Sequence, residues 1–264
     1  MVVGLQRFRD HFRAHSGAFV LIGGAACDAW MTANTLTFRR TKDLDIVLVA
    51  DAVDTAFADR FKAFVDEGGY EVRQRQGTGK REFFRFYKPK GDDYPFMLEL
   101  FSRAPAGLDV WPGQQVVPVP VEESVASLSA ILMDEGYYRL VLQARYVGNG
   151  IPMVAVAGLI PLKAKAWLDL QARRDAGQHV DDDDIKKHRN DIFRLALTLT
   201  EEPVEIAQAI RTDLAAFLAA FPDGAAEWPS IARALHATMG ARSKLSLPDL
   251  RETIAAYFRL DGSV

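Results

Sequence analysis

Asp43 and Asp45 stand one residue apart in Arg39-Arg40-Thr41-Lys42-Asp43-Leu44-Asp45-Ile46-Val47-Leu48-Val49. The apolar run Ile46 to Val49 marks a short buried strand, and side chains alternate across a strand with a period of two. The two carboxylates therefore leave one face at the strand's start, where like charges repel unless a cation lies between them. Magnesium suits such a site: it is a hard ion that takes oxygen ligands and is commonly held by one or two carboxylates plus phosphate oxygens. The bland alternative is a strand end carrying incidental acids.

The residues upstream weigh against that alternative. Phe19-Val20-Leu21-Ile22 reads as an apolar strand, and Gly23-Gly24 follows at the turn into a helix around residues 25–32. Glycine lets backbone approach a ligand closely, and a helix N-terminus presents free N–H groups to an anion. Such a turn grips a phosphate while the carboxylates hold the metal that bridges it.

Gly-Gly, a helix, then Asp-x-Asp on a strand resembles the nucleotidyltransferase superfamily that shares the polymerase β-type catalytic core. The resemblance implies a third acid on a later strand, and Glu99, the one charge in Pro95-Phe96-Met97-Leu98-Glu99-Leu100-Phe101, matches it. The 18 residues between Gly24 and Asp43 are somewhat more than the family's usual spacing. A second block narrows the likeness. The segments 158–170, with Lys163 and Lys165, and 184–195, with Asp191, resemble the lysine helix and the Lys/Arg-x-x-Asp helix of AbiEii-type nucleotidyltransferases, known chiefly as toxins of type IV toxin–antitoxin pairs. By that likeness Lys163 faces the nucleoside triphosphate, with Lys165 as fallback, and Asp191 is an assisting acid. Where the family often has a second acid three residues on, this chain has Arg194.

The chemistry that the resemblance implies is transfer of a nucleoside monophosphate from an NTP to an acceptor hydroxyl. Two Mg2+ ions would be held by Asp43, Asp45 and Glu99, with Glu99 also the candidate base. Gly23 and Gly24 would bind the triphosphate, and Lys163 would balance charge building on pyrophosphate. The implied acceptor is RNA, a tRNA 3′ end foremost, and the implied partner an antitoxin protein. A small-molecule acceptor of the antibiotic type, a protein acceptor, and a nucleotide-binding module without turnover are the alternatives.

These residues need elements to position them. Helical spacing of Leu5, Phe8 and Phe12 predicts a helix over 4–15, and Val53, Phe57, Phe61 and Phe64 predict another over 52–67, ended by Gly68-Gly69. Strands are expected at 19–22, 44–49, 70–76, 82–87 and 96–101, an extended stretch at 114–121, and strands near 127–132 and 151–156 around a short helix from 135. Beyond 158 helices dominate, at 158–176, 182–199, 203–220, 227–239 and 247–258, with Asp181 to Asp184 capping the second. The expected fold is α+β: a nucleotidyltransferase core with a mixed β-sheet and flanking helices over 1–121, then a mainly helical domain over 122–264 that completes the nucleotide and acceptor site.

Composition narrows the setting. With 264 residues, 49% hydrophobic and 25% charged, the chain has the makeup of an ordinary globular protein with a substantial core. One cysteine, Cys27, excludes an internal disulfide and a cysteine-built zinc site and fits a reducing cytosol. Charges interrupt any signal-peptide core near residue 1, and no apolar run approaches a membrane span, so a cytoplasmic protein without a membrane partner is expected. A net charge of −3 supplies no global field for nucleic acid. Arg73, Arg75, Lys80, Arg81, Arg85, Lys88 and Lys90 nevertheless crowd one region, as an RNA- or triphosphate-binding patch or as the solvent face of alternating strands. Gly77-Thr78-Gly79-Lys80 lacks the first glycine and the Ser/Thr of a P-loop, and His11 and His15 lack the glutamate of a zinc protease helix.

Overall fold

The computed structural model describes residues 2–74, 81–105, 116–119, 129–239 and 247–260. The chain divides into two compact units, Met1–Ala29 with Arg40–Val154, and Trp30–Arg39 with Ala155–Val264.

The first unit is built on a mixed sheet. Its strands are β1 (Phe19–Ile22), β2 (Asp43–Leu48), β3 (Glu71–Gln74), β4 (Arg81–Tyr87), β5 (Met97–Ser102), β6 (Val116–Pro118), β7 (Ser129–Leu132), β8 (Arg145–Gly148) and β9 (Ile151–Val154). They lie in the order β3-β4-β5-β2-β1-β9-β8. β2 runs antiparallel to β1 and parallel to β5, and β4 and β7 take successive stretches of β5's other edge. The helices are α1 (Leu5–His11), α2 (Gly23–Ala33, whose last turns belong to the second unit), α3 (Thr55–Gly68) and α4 (Glu135–Gln143).

One face of this sheet is a floor of aromatic rings. Phe8, Phe12, Phe19, Phe57, Phe61 and Phe64 are all fully buried, and the Phe61 ring meets Phe86 of β4 at 5.4 Å. Burying each such ring contributes roughly 1.5–3 kcal/mol, which is why α1 and α3 are held against the sheet. Local chemistry sets the ends of α3: Asp54 accepts a hydrogen bond from Phe57 N at 2.7 Å, and Gly69 closes the helix in the left-handed conformation at φ +61°.

The second unit is helical: α5 (Val156–Asp175), α6 (Asp182–Ala196), α7 (Gln208–Ala219), α8 (Trp228–Met239) and α9 (Leu247–Tyr257), with residues 30–39. Trp167, Phe193, Phe217, Phe221 and Trp228 interlock as its aromatic core. Asp181 caps α6 by accepting from Asp183 N at 2.9 Å, in keeping with a capping role for the acidic run. Trp30 Nε1 donates to Thr198 Oγ1 at 2.8 Å, tying 30–39 to the end of α6.

The architecture is α+β with a mixed sheet, as expected, but two boundaries differ. The division falls at 154/155 rather than 121/122, because β7 pairs with β5 and β9 with β1, so everything through β9 belongs to the sheet. β8 was absent from the expected elements; it forms a hairpin with β9 through Asn149 (φ +53°) and Gly150 (φ +78°). Residues 77–79, and 114–115 and 120–121 of the expected extended stretch, lie outside the described residues. Among the described residues no helix is long and apolar enough to cross a membrane.

Candidate functional site

Pairing register fixes what the sheet's other face presents. Across four strands, Ile22, Asp45, Glu99 and Arg85 form one row, and Asp43, Met97, Tyr87 and Glu71 the next. Partner residues on neighbouring strands share a face, so Asp43, Asp45 and Glu99 project together, opposite the phenylalanine floor. Leu44, Ile46, Leu98 and Leu100, the alternate residues, are wholly buried on the floor side. The expected juxtaposition of three acids is therefore present in the backbone.

Gly23 shapes the edge of this face. It has φ +65°, and a Cβ there would lie 1.8 Å from Asp45 Oδ2, so the carboxylate rests directly on the glycine's Cα. A Cβ on Gly24 would come within 2.5 Å of Thr41 Oγ1. A side chain at Gly23 would displace the Asp45 carboxylate, and one at Gly24 the Thr41 hydroxyl. The pair thus lies at the strand-to-helix turn, as expected, although the helix takes in the glycines themselves.

Glu99 is buried, and its Oε1 accepts from Arg85 Nε at 2.5 Å and from Arg85 Nη2. This ion pair was not anticipated; Arg85 was counted in the basic patch. Among the described residues, no three acidic, histidine or cysteine side chains converge as a ready-made metal cage. The donor set nonetheless fits a hard divalent cation: oxygen donors alone, on one face, with a guanidinium already balancing one of them. Of the other patch residues, Lys88 lies 3.9 Å from Glu71, while Arg75 and Lys80 are outside the described residues.

The second unit holds a contrasting cluster. Asp191 of α6 is fully buried and meets three cations: Arg39 through two oxygens (Nε–Oδ1 3.0 Å, Nη2–Oδ2 2.8 Å), Lys163 of α5 at 3.1 Å, and Arg194 at 3.0 Å. Burial alone would raise the Asp191 carboxyl, but Lys163 and Arg39 hold it down at about 2. Burial pushes His188, one turn earlier, down to about 3, and Lys163 and Lys187 push the same way, so its ring is neutral. Lys163 is buried here, whereas Lys165 is half-exposed and pairs with Asp169 at 2.9 Å, which separates the two lysines the sequence left as alternatives.

The pairing of Arg39 with Asp191, that of Arg85 with Glu99, and the place of His188 are what sequence reasoning missed. Arg85 had a signal: it is a lone charge between Phe84 and Phe86, as Glu99 is between Leu98 and Leu100. Arg39 had none, since its partner lies far along the chain. The chain matches no family model, no curated protein and no solved structure.

Proposed function

We propose that this chain is a metal-dependent nucleotidyltransferase with a polymerase β-type core, of the AbiEii-like kind, which moves a nucleoside monophosphate from an NTP to the hydroxyl of an RNA acceptor. The observation that carries the reading is the seat of Asp45 on Gly23. A glycine at the strand-to-helix turn lies against the second acid of Asp-x-Asp, with Asp43 and Glu99 on the same sheet face. Neither a decorative strand end nor a structural ion pair calls for that set.

Asp43, Asp45 and Glu99 are the residues that would hold Mg2+. When bound, the ion lowers the pKa of the acceptor hydroxyl and balances charge on the phosphate. The Gly23–Gly24 backbone would take the phosphates at the start of α2, where unsatisfied N–H groups attract anions. The acceptor oxygen attacks the α-phosphorus, the α–β bridging P–O bond breaks, and pyrophosphate leaves. Glu99, whose Oε1 accepts from Arg85, is assigned here as the third ligand. Asp191 bonds Lys163, Arg39 and Arg194, and Lys163 is the residue assigned to the leaving pyrophosphate.

The test is incubation with Mg2+, each α-labelled NTP and total cellular RNA, with Asp45→Ala alongside. Label entering tRNA only with the wild-type protein is the expected result. Equal labelling by Asp45→Ala would overturn the assignment, and label in small molecules or in protein instead of RNA would move the acceptor.

A further inference from the structure

Arg85 has the geometry of an internal substitute for a metal ion. It sits directly across from Glu99 in the antiparallel β4–β5 ladder, and two of its nitrogens converge on one oxygen, Glu99 Oε1. Its neighbours Phe84 and Phe86 are buried on the other face, so the strand's alternation fixes the guanidinium on the acidic side. The row Asp45, Glu99, Arg85 is therefore a line of charges, two negative and one positive, across three adjacent strands. Next to it lies Asp43, with Oδ1 shielded from solvent.

Carboxylates that leave one sheet face on neighbouring strands repel one another. A guanidinium locked to the most buried of the three relieves that repulsion. It also draws Glu99 toward β4, away from the Asp-x-Asp pair. A divalent ion that recruits Glu99 has to outcompete Arg85 for it.

Resting on the nucleotidyltransferase reading, we propose that Arg85 is a positioning residue: it holds Glu99 in reserve and surrenders it on metal loading, so that it sets how tightly the site takes a divalent cation. The ion pair then acts as a threshold. It stabilises the cation-free face and weakens metal affinity by the free energy needed to part Arg85 from Glu99.

The experiment is Mn2+ binding to the purified protein, followed by electron paramagnetic resonance of the free ion, with thermal unfolding measured with and without Mn2+. Arg85→Gln is expected to bind Mn2+ about five- to tenfold more tightly, the size expected when a partly buried ion-pair partner leaves a ligand. Without metal it should unfold at lower temperature than the wild type, and Mn2+ should close that gap. Arg85→Lys, which keeps the charge but loses the two-nitrogen grip, should fall between. It carries the test should Arg85→Gln fail to fold.

The outcomes separate the two readings. Wild-type Mn2+ binding that Asp45→Asn and Glu99→Gln abolish, with unchanged affinity in Arg85→Gln and Arg85→Lys, sinks the role of Arg85 and leaves the metal site standing. Absence of Mn2+ binding in the wild type, or binding indifferent to Asp45→Asn, overturns both.

Discussion

The two units carry clusters of opposite sign. On the sheet, Asp43, Asp45 and Glu99 share a face with the Arg85 guanidinium; in the helical unit Arg39, Lys163 and Arg194 bond the Asp191 carboxylate. Arg85 bonds one of the acids, Glu99, whereas Asp191 bonds all three cations. The surroundings differ. Asp191 has no solvent exposure, whereas Asp43 and Asp45 are partly exposed.

Removing the central acid of the buried cluster should have the largest effect on folding. Asp191→Ala leaves three cations facing one another and is expected to cost about 3–5 kcal/mol, read as a lowered urea midpoint; a loss below 1 kcal/mol would show the cations finding other partners. Removing an acid from the sheet should do the opposite. Asp45→Ala is expected to leave the urea midpoint unchanged or raised while lowering nucleotidyl transfer by about a hundredfold to a thousandfold, as for loss of a principal electrostatic group. A variant that unfolds instead would make Asp45 structural.

Gly23→Ala sharpens the picture of the acidic face. With φ +65° and Asp45 Oδ2 in the way of any Cβ, the change should cost about 1–3 kcal/mol and weaken Mn2+ binding by displacing Asp45. Unaltered Mn2+ affinity would detach the glycine from the site.

Stability should also depend on pH. His188 titrates at about 3 in the fold against an ordinary 6.5, so between those values the unfolded chain binds more protons and stability rises with pH. Lys163 and Lys187 on one side, and Asp184 and Asp191 on the other, are the charges that face it. Asp191, about 2 against an ordinary 3.8, adds stability above 3.8 that is lost as pH falls through about 2. His188→Gln should flatten the stability profile between pH 3.8 and 6.5 and leave the Asp191 fall between 3.8 and about 2; an unchanged profile would assign the slope elsewhere.

The chemical face was largely legible beforehand because period-two alternation and two glycines are local signals. Asp43, Asp45 and Glu99 share a face as alternation demands, although only the register of β2 with β5 says that Asp45 and Glu99 are neighbours. β8 was missed despite its Asn149-Gly150 turn, the strongest short-range hairpin signal, because the strand before it is only four residues long and barely alternates. The partners of Asp191 were illegible for another reason. Arg39 sits beside the Asp-x-Asp strand in sequence and reads as part of its basic flank, but its guanidinium belongs to α6. No periodicity reports a pairing across so many residues.

That pairing has a consequence for how the molecule is made. Residues 30–39 emerge from the ribosome long before α5 and α6, which carry Lys163, Asp191 and Thr198's neighbours. The sheet can be completed as soon as Val154 has been synthesised, yet a ten-residue loan from its middle stays outstanding until the second half arrives. Severing the chain at 154/155 would yield a C-terminal fragment whose central aspartate lacks Arg39 and whose Thr198 lacks Trp30, and co-expression of the two pieces would be needed to restore them.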